Sequence, residues 1–226
     1  MTNIRDILRP GDVINSVYHF NWRQFYNPLE WGHAVVAKSI QNFQRDTPPD
    51  GFCKSTHSRL YLGDGLIFEV TWPVAKFTQL DDIRNEDLRI SRHTTHAFTP
   101  AEMHYMYSVA TDLLGYKYDL VELLSHLLAK VYPQYEVQIT DLVGIGKKNM
   151  TCMAGVRTIY EALRKNVLEP KGDYSLRRLF TINGKDTLIE LSRPEHGDNC
   201  PDDFRLVATF KKGVMANEVV CPHVSI

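Results

Sequence analysis

A cysteine at the start of an apolar helix is the first place to look for chemistry in this 226-residue chain. After Thr151-Cys152-Met153-Ala154-Gly155, apolar residues recur at Val156, Ile159, Tyr160 and Leu163, so the spacing predicts a helix opening at Thr151 or Cys152. A thiol in that first turn sits beside unpaired backbone N–H groups at the positive end of the helix dipole. Such a position lowers its pKa and favours the nucleophilic thiolate. Lys147 and Lys148 add positive charge nearby. The competing reading of Cys152 is a small buried hydrophobe. The other cysteines, Cys53, Cys200 and Cys221, are widely spaced and form no CxxC. They suit free thiols in a reducing compartment.

A thiolate nucleophile needs an imidazole to share its proton and a third polar group to orient the ring. The chain has 9 histidines, so a histidine alone proves little. His57 stands apart because it opens a hairpin, Ser58 to Leu62 and Leu66 to Trp72 around Gly63-Asp64-Gly65, with Glu69 on the returning strand. If Asp64 is the centre of a three-residue turn, Arg59 faces Glu69, and His57 and Glu69 lie diagonally on one face. With a two-residue turn, Glu69 moves to the opposite face. The alternative role for Glu69 is a cross-strand ion pair with Arg59.

The remaining candidates carry less. His33, in Trp31-Gly32-His33-Ala34-Val35-Val36, resembles a histidine strand, but no polar partner follows at hairpin spacing. His196 with Cys200, and Cys221 with His223, have zinc-ligand types without the tight loop spacing of zinc fingers, and read as solvated loop. Gly144-Ile145-Gly146 lacks the third glycine and the preceding strand of a nucleotide-binding loop. His93, His96 and His104 read as surface or helix-start residues, and no metal or organic cofactor is implied.

The elements that must position these groups follow from pattern. Arg9-Pro10-Gly11-Asp12 turns into a strand at Val13-Ile14, and a further strand fits Asp87 to Ser91. Thr99-Pro100-Ala101-Glu102 is a helix start with a capping box, its apolar stripe Met103, Met106, Tyr107, Ala110, Leu113 and Leu114, its end Gly115. A helix over 33–44, a loop over 45–54, a helix from Asp119 to Leu128, and strands at Thr187 to Leu191 and Phe204 to Phe210 complete the reading.

Composition sets the frame. Hydrophobic residues make up 43% and charged residues 23%, ordinary for a globular domain and too apolar for a disordered chain. A net charge of −1 argues against nucleic-acid binding, which rests on clustered positive charge. No apolar run reaches the roughly 18 residues of a membrane span. The opening MTNIRDILRPGD lacks a signal peptide's apolar core, which predicts a cytoplasmic protein, or one exported without a signal as a phage-encoded protein would be.

The order of motifs carries a resemblance. Pro10-Gly11-Asp12-Val13-Ile14 is followed by Thr56-His57-Ser58-Arg59-Leu60-Tyr61-Leu62-Gly63-Asp64-Gly65, then Ile67-Phe68-Glu69-Val70, Gly115-Tyr116-Lys117-Tyr118-Asp119 and Thr151-Cys152. This resembles the circularly permuted branch of the NlpC/P60 papain-like superfamily, the YiiX-like and lecithin-retinol-acyltransferase-like proteins. In that branch the histidine strand precedes the cysteine helix. The resemblance spans about residues 8–165 and implies an α+β, permuted papain-like fold, with a small antiparallel sheet packed against helices. Residues 1–226 then form one domain whose segment 166–226 is an appended element. It also implies Cys152 as nucleophile, His57 as base and Glu69 as orienting residue. One departure is that Met153, Ala154, Gly155 and Val156 replace the family's small residue, glutamate and two apolar residues, which bears on substrate preference.

The expectation is therefore a cysteine hydrolase acting on a peptide, amide or lipid-ester substrate through an acyl-enzyme. The alternatives are an acyltransferase on the same site and a non-catalytic module that keeps the fold. If the helix-start reading holds, Cys152 reacts with iodoacetamide near neutral pH before Cys53, Cys200 or Cys221 does. Mass spectrometry of the partly alkylated protein checks this, and an inert Cys152 beside labelled partners would refute it.

Overall fold

The turn between His57 and Glu69 sets the register on which the rest of the sheet is built. In the computed structural model, which describes residues 4–17, 56–83, 86–93, 96–119, 149–173, 176 and 204–210, strand β2 (His57–Gly63) pairs antiparallel with β3 (Leu66–Val70). The turn is a two-residue one: Asp64 and Gly65 both have positive φ, 49° and 79°, and Gly63 faces Leu66. That pairing of Asp-Gly with positive φ at both centres suits a hairpin's twist. Continued without a break, it would set Glu69 opposite Leu60, on the wrong face. A bulge between Tyr61 and Gly63 inserts one residue and shifts the register, so Arg59 faces Glu69. The expected register is present, reached by a route other than a three-residue turn.

Around this hairpin stand β1 (Val13–Val17), β4 (Ala75–Gln79), β5 (Asp87–His93) and β8 (Phe204–Phe210) in the antiparallel order β4-β3-β2-β1-β5-β8. A separate parallel pair joins β6 (Lys117–Tyr118) to β7 (Asn149–Met150). The architecture is α+β. Period-2 alternation gives the main sheet two covered faces. One presents Val13, Leu60, Phe68, Val70 and Ala75 to helices α3 (Pro100–Asp112) and α4 (Cys152–Leu163). The other presents Ile14, Tyr61, Ile67, Leu88 and Ile90 to the short helices α1 (Ile4–Ile7) and α2 (Leu80–Ile83) and to Leu8.

Helix α3 starts as its capping box requires. Thr99 Oγ1 accepts from Glu102 N at 3.3 Å, while Glu102 Oε2 accepts from Thr99 N at 2.9 Å. Its buried stripe runs Glu102, Met106, Ala110 and Leu113. Tyr107 and Leu114, expected in the stripe, are 42% and 38% exposed, because they lie about 100° round the helix from Met106 and Leu113. Tyr107 instead stacks on Phe77, ring centroids 5.4 Å apart. Helix α4 buries Val156, Ile159, Tyr160 and Leu163, the full expected stripe.

Two contacts dock α4 onto the sheet. The Tyr160 hydroxyl donates to the Gly11 carbonyl just ahead of β1. At Gly155, a Cβ would lie 2.4 Å from Val70 Cγ2 and 3.2 Å from Phe68 Cε1, so only glycine lets the helix come this close to β3.

Several expectations need amendment. The strand from Leu66 stops at Val70 rather than Trp72, and the chain continues into β4, a strand absent from the expected elements. His93 is buried and His96 nearly so, with His96 Nε2 3.1 Å from Glu102 Oε2; neither is a surface residue, whereas His104 is exposed. The segment beyond 166 contributes β8, which pairs with β5 at the sheet's edge. The helix over 33–44, the loop over 45–54, the helix body after Asp119, the strand at 187–191, and His33, Cys53, Lys147, Lys148, His196, Cys200, Cys221 and His223 lie outside the described residues. Among the described residues, no helix is long and apolar enough to cross a membrane.

Gly155→Ala should destabilise the fold by about 1–3 kcal/mol, as overpacking of a tight helix–sheet contact does. Urea unfolding with an unchanged m-value measures it, and a neutral result would show that the helix seats on β3 without needing the missing Cβ.

Candidate functional site

The site lies where β2 begins and α4 begins. Helix α4 is capped by Thr151, whose Oγ1 accepts from Ala154 N at 3.4 Å, and this makes Cys152 its first residue. The Cys152 thiol is free and half-buried. It shares a hydrogen bond with the His57 imidazole, and the backbone N–H groups of Ser58 and Met153 also donate to it. Burial pushes the thiol up, but the His57 hydrogen bond and charge, with those two N–H groups, more than offset it, so Cys152 ionises below an ordinary cysteine.

His57 is the first residue of β2, its side chain 16% exposed. Its Nε2 lies 2.9 Å from Glu69 Oε2. Glu69 is an ionised acceptor, so Nε2 carries the hydrogen of this contact and Nδ1 is left for the thiol. Burial and the nearby Arg59 cation oppose a charge on the ring, while the hydrogen bonds to Cys152 and Glu69 favour it; the net effect raises the His57 pKa. A thiol pushed down and an imidazole pushed up describe one event, transfer of the thiol proton to the ring.

Glu69 is buried, yet both its oxygens are occupied. Oε2 takes His57 Nε2 and Arg59 Nε, the latter at 2.7 Å. Oε1 takes Thr78 Oγ1 at 2.5 Å and lies 3.4 Å from Lys76 Nζ. Burial alone would raise this carboxyl, but the bonds to His57 and Thr78 and the charges of Arg59 and His57 hold it well below the usual carboxylate range. The two roles weighed for Glu69 thus coexist: one oxygen orients the imidazole and pairs with Arg59.

The structure brings Cys152, His57 and Glu69 into one hydrogen-bonded line. Sequence reasoning missed Thr78, Lys76, Glu86 and the Ser58 N–H. Thr78 and Lys76 come from β4, whose register Glu69↔Lys76 and Ile67↔Thr78 is set by tertiary pairing. The alternation of Ala75, Phe77 and Gln79 with Lys76 and Thr78 was the one available signal. Glu86 lies outside any strand and closes on Arg59 at 2.9 and 3.1 Å, a contact with no local pattern. Among the described residues, no group of three or more His, Cys, Asp or Glu side chains is arranged to hold a metal ion.

No family model matches the chain, and no curated protein matches it. The arrangement has the chemistry of a thiol at a helix N-terminus with a lowered pKa, beside an imidazole held by a buried carboxylate.

The pH dependence of alkylation at Cys152 follows from these contacts. In the native protein the thiolate forms below the ordinary thiol range, so the rate climbs at lower pH than for a model thiol. His57→Ala removes the largest lowering influences and leaves burial, so the midpoint moves upward. At pH 7 the rate should fall roughly tenfold or more. Iodoacetamide kinetics across pH 5 to 10 test this, and an unchanged midpoint would separate His57 from the thiol.

Proposed function

We propose that this protein is a papain-like cysteine hydrolase of amide or ester bonds, in the circularly permuted NlpC/P60 arrangement that its motif order resembles. The observation that carries the reading is the continuous line from Cys152 through His57 to Glu69, with the thiol on the first residue of a helix. The order β2, β3, then the cysteine helix is the permuted one, histidine strand before nucleophile.

In this reading the Cys152 thiolate attacks the substrate carbonyl, forming a C–S bond as the carbonyl π pair moves to oxygen. The backbone N–H of Cys152, the first residue of α4, stabilises that charge. The imidazolium of His57 then gives its Nδ1 proton to the leaving amine or alcohol as the C–N or C–O bond breaks, leaving a thioester. Water adds next, losing a proton to His57, and expels the thiolate with the free acid. Glu69 keeps the ring in register and stabilises it while charged, without itself accepting the proton. No step calls for a metal or an organic cofactor.

A panel of activated esters and peptide amides, read by turnover and by the mass of the trapped intermediate, tests the assignment. Cys152→Ala should abolish turnover and the adduct. His57→Ala should lower turnover by about 10²–10⁴, and Glu69→Gln, which keeps an acceptor oxygen, should retain measurable activity. Because the members act as one unit, Cys152→Ala/His57→Ala should be no worse than Cys152→Ala. An acyl adduct that forms on another residue, or persists in Cys152→Ala, would overturn the reading; an unreacted wild type would favour a non-catalytic module.

A further inference from the structure

Glu69 Oε2 serves two donors at once, His57 Nε2 at 2.9 Å and Arg59 Nε at 2.7 Å. Arg59 is itself buried, its side chain 8% exposed, and its remaining nitrogens are engaged: Nη1 donates to Ser16 Oγ at 2.8 Å, and Nη1 and Nη2 grip Glu86 at 2.9 and 3.1 Å. A guanidinium fixed this rigidly is placed to divide one carboxylate's charge between itself and the ring.

We propose that Arg59 is a positioning residue of the site, sharing Glu69 Oε2 with His57 so that only part of the carboxylate's charge acts on the imidazole. This rests on the reading of Cys152 and His57 as the working pair. The need is chemical. A ring facing an undivided buried carboxylate would hold its proton too tightly to pass it to a leaving group, and a general acid works best when its pKa lies near the operating pH. Glu86 sets the opposite limit, because it neutralises part of Arg59 and keeps that cation from overwhelming the ring.

The charged and titratable groups facing this cluster come from every element around it. Cys152 approaches from α4, Glu69 from β3 and Arg59 from β2, with Lys76 of β4 3.4 Å from the other oxygen of Glu69 and Glu86 just ahead of β5. Thr78 also holds that second oxygen, at 2.5 Å, so Glu69 keeps an anchor when Arg59 is removed. In agreement with the geometry, burial and Arg59 disfavour the charged ring while Cys152 and Glu69 favour it.

The test is the titration midpoint of the His57 ring, followed by NMR in the full-length protein labelled at histidine. Arg59→Met should raise the midpoint by an amount on the order of one pH unit, and Arg59→Lys should return it toward wild type. Glu86→Gln should move it the other way, downward, because Arg59 loses its counter-charge. Opposite signs from the two variants are the signature of charge division. If both move the midpoint in one direction, or neither moves it, Arg59 is only a structural ion-pair member and the proposal fails. Should Arg59→Met not fold, Glu86→Gln decides alone, since that side chain is 34% exposed and its loss is milder. Cys152→Ala separates the two layers: it should lower the His57 midpoint, and if it does not, the Cys152–His57 pairing is wrong whatever Arg59 does.

Discussion

A carboxylate buried beneath a sheet survives as an anion only if its oxygens are filled, and Glu69 meets that condition with donors drawn from the two strands that flank its own. His57 and Arg59 come from β2, Thr78 and Lys76 from β4, and Glu69 itself from β3. Taking such a charge out of water costs several kcal/mol before any partner is counted. The strands must therefore hold their registers closely enough for the partners to arrive together. Arg59↔Glu69 and Glu69↔Lys76 are direct cross-strand pairs, and a one-residue slip in either would turn Glu69 away from its partners. Removing one partner leaves an uncompensated buried charge, the costly way to break such a network.

The same face of the sheet is divided along its length. Toward the hairpin turn it is apolar, with Ile14, Tyr61 and Ile67 packed under Leu80 and Ile83; toward the start of β2 it carries Ser16, His57, Arg59 and Glu69. Burial of the first half supplies ordinary hydrophobic stabilisation. Its rigidity lets the second half keep charged groups in fixed positions. On the opposite face, α4 approaches because Gly155 carries no Cβ and Tyr160 reaches the Gly11 carbonyl. These two contacts bring the helix N-terminus, and with it Cys152, to the end of β2 where Ser58 N–H and the His57 ring meet the thiol. Core packing and site geometry are thus one problem, since the helix that fills the core is the helix that delivers the sulfur.

What could be read without tertiary structure was whatever a local pattern specifies. The stripe of α4, the Thr99–Glu102 capping box, the hairpin strands and the placing of Cys152 at a helix start are all set by spacing within a dozen or so residues, and each is present. Residue type then named His57 and Glu69, because few side chains can serve a thiol in those roles. Pattern fails where neighbours in space are distant in sequence and where an apolar spacing is wider than the face that is buried. Tyr107 and Leu114 fit the apolar spacing of α3, but the buried stripe is centred on Met106 and Ala110. His93 and His96 carry no local mark of burial, yet His93 is buried in β5 and His96 is largely covered beside Glu102.

The chain by itself determined that a thiol would head a helix and that an imidazole and a carboxylate would share a hairpin, because helix periodicity, capping and the Asp64-Gly65 turn act over short distances. Whether that imidazole and carboxylate would face each other was left open, since a two-residue turn and a three-residue turn place Glu69 on opposite faces. The bulge between Tyr61 and Gly63 decided it, and a bulge is a property of two paired strands rather than of either one alone. Only the assembled fold could bring Thr78 and Lys76 across from β4, Glu86 onto Arg59, and the N-terminus of α4 to His57. Those contacts depend on pairing and packing between segments that carry no mark of one another in the linear sequence.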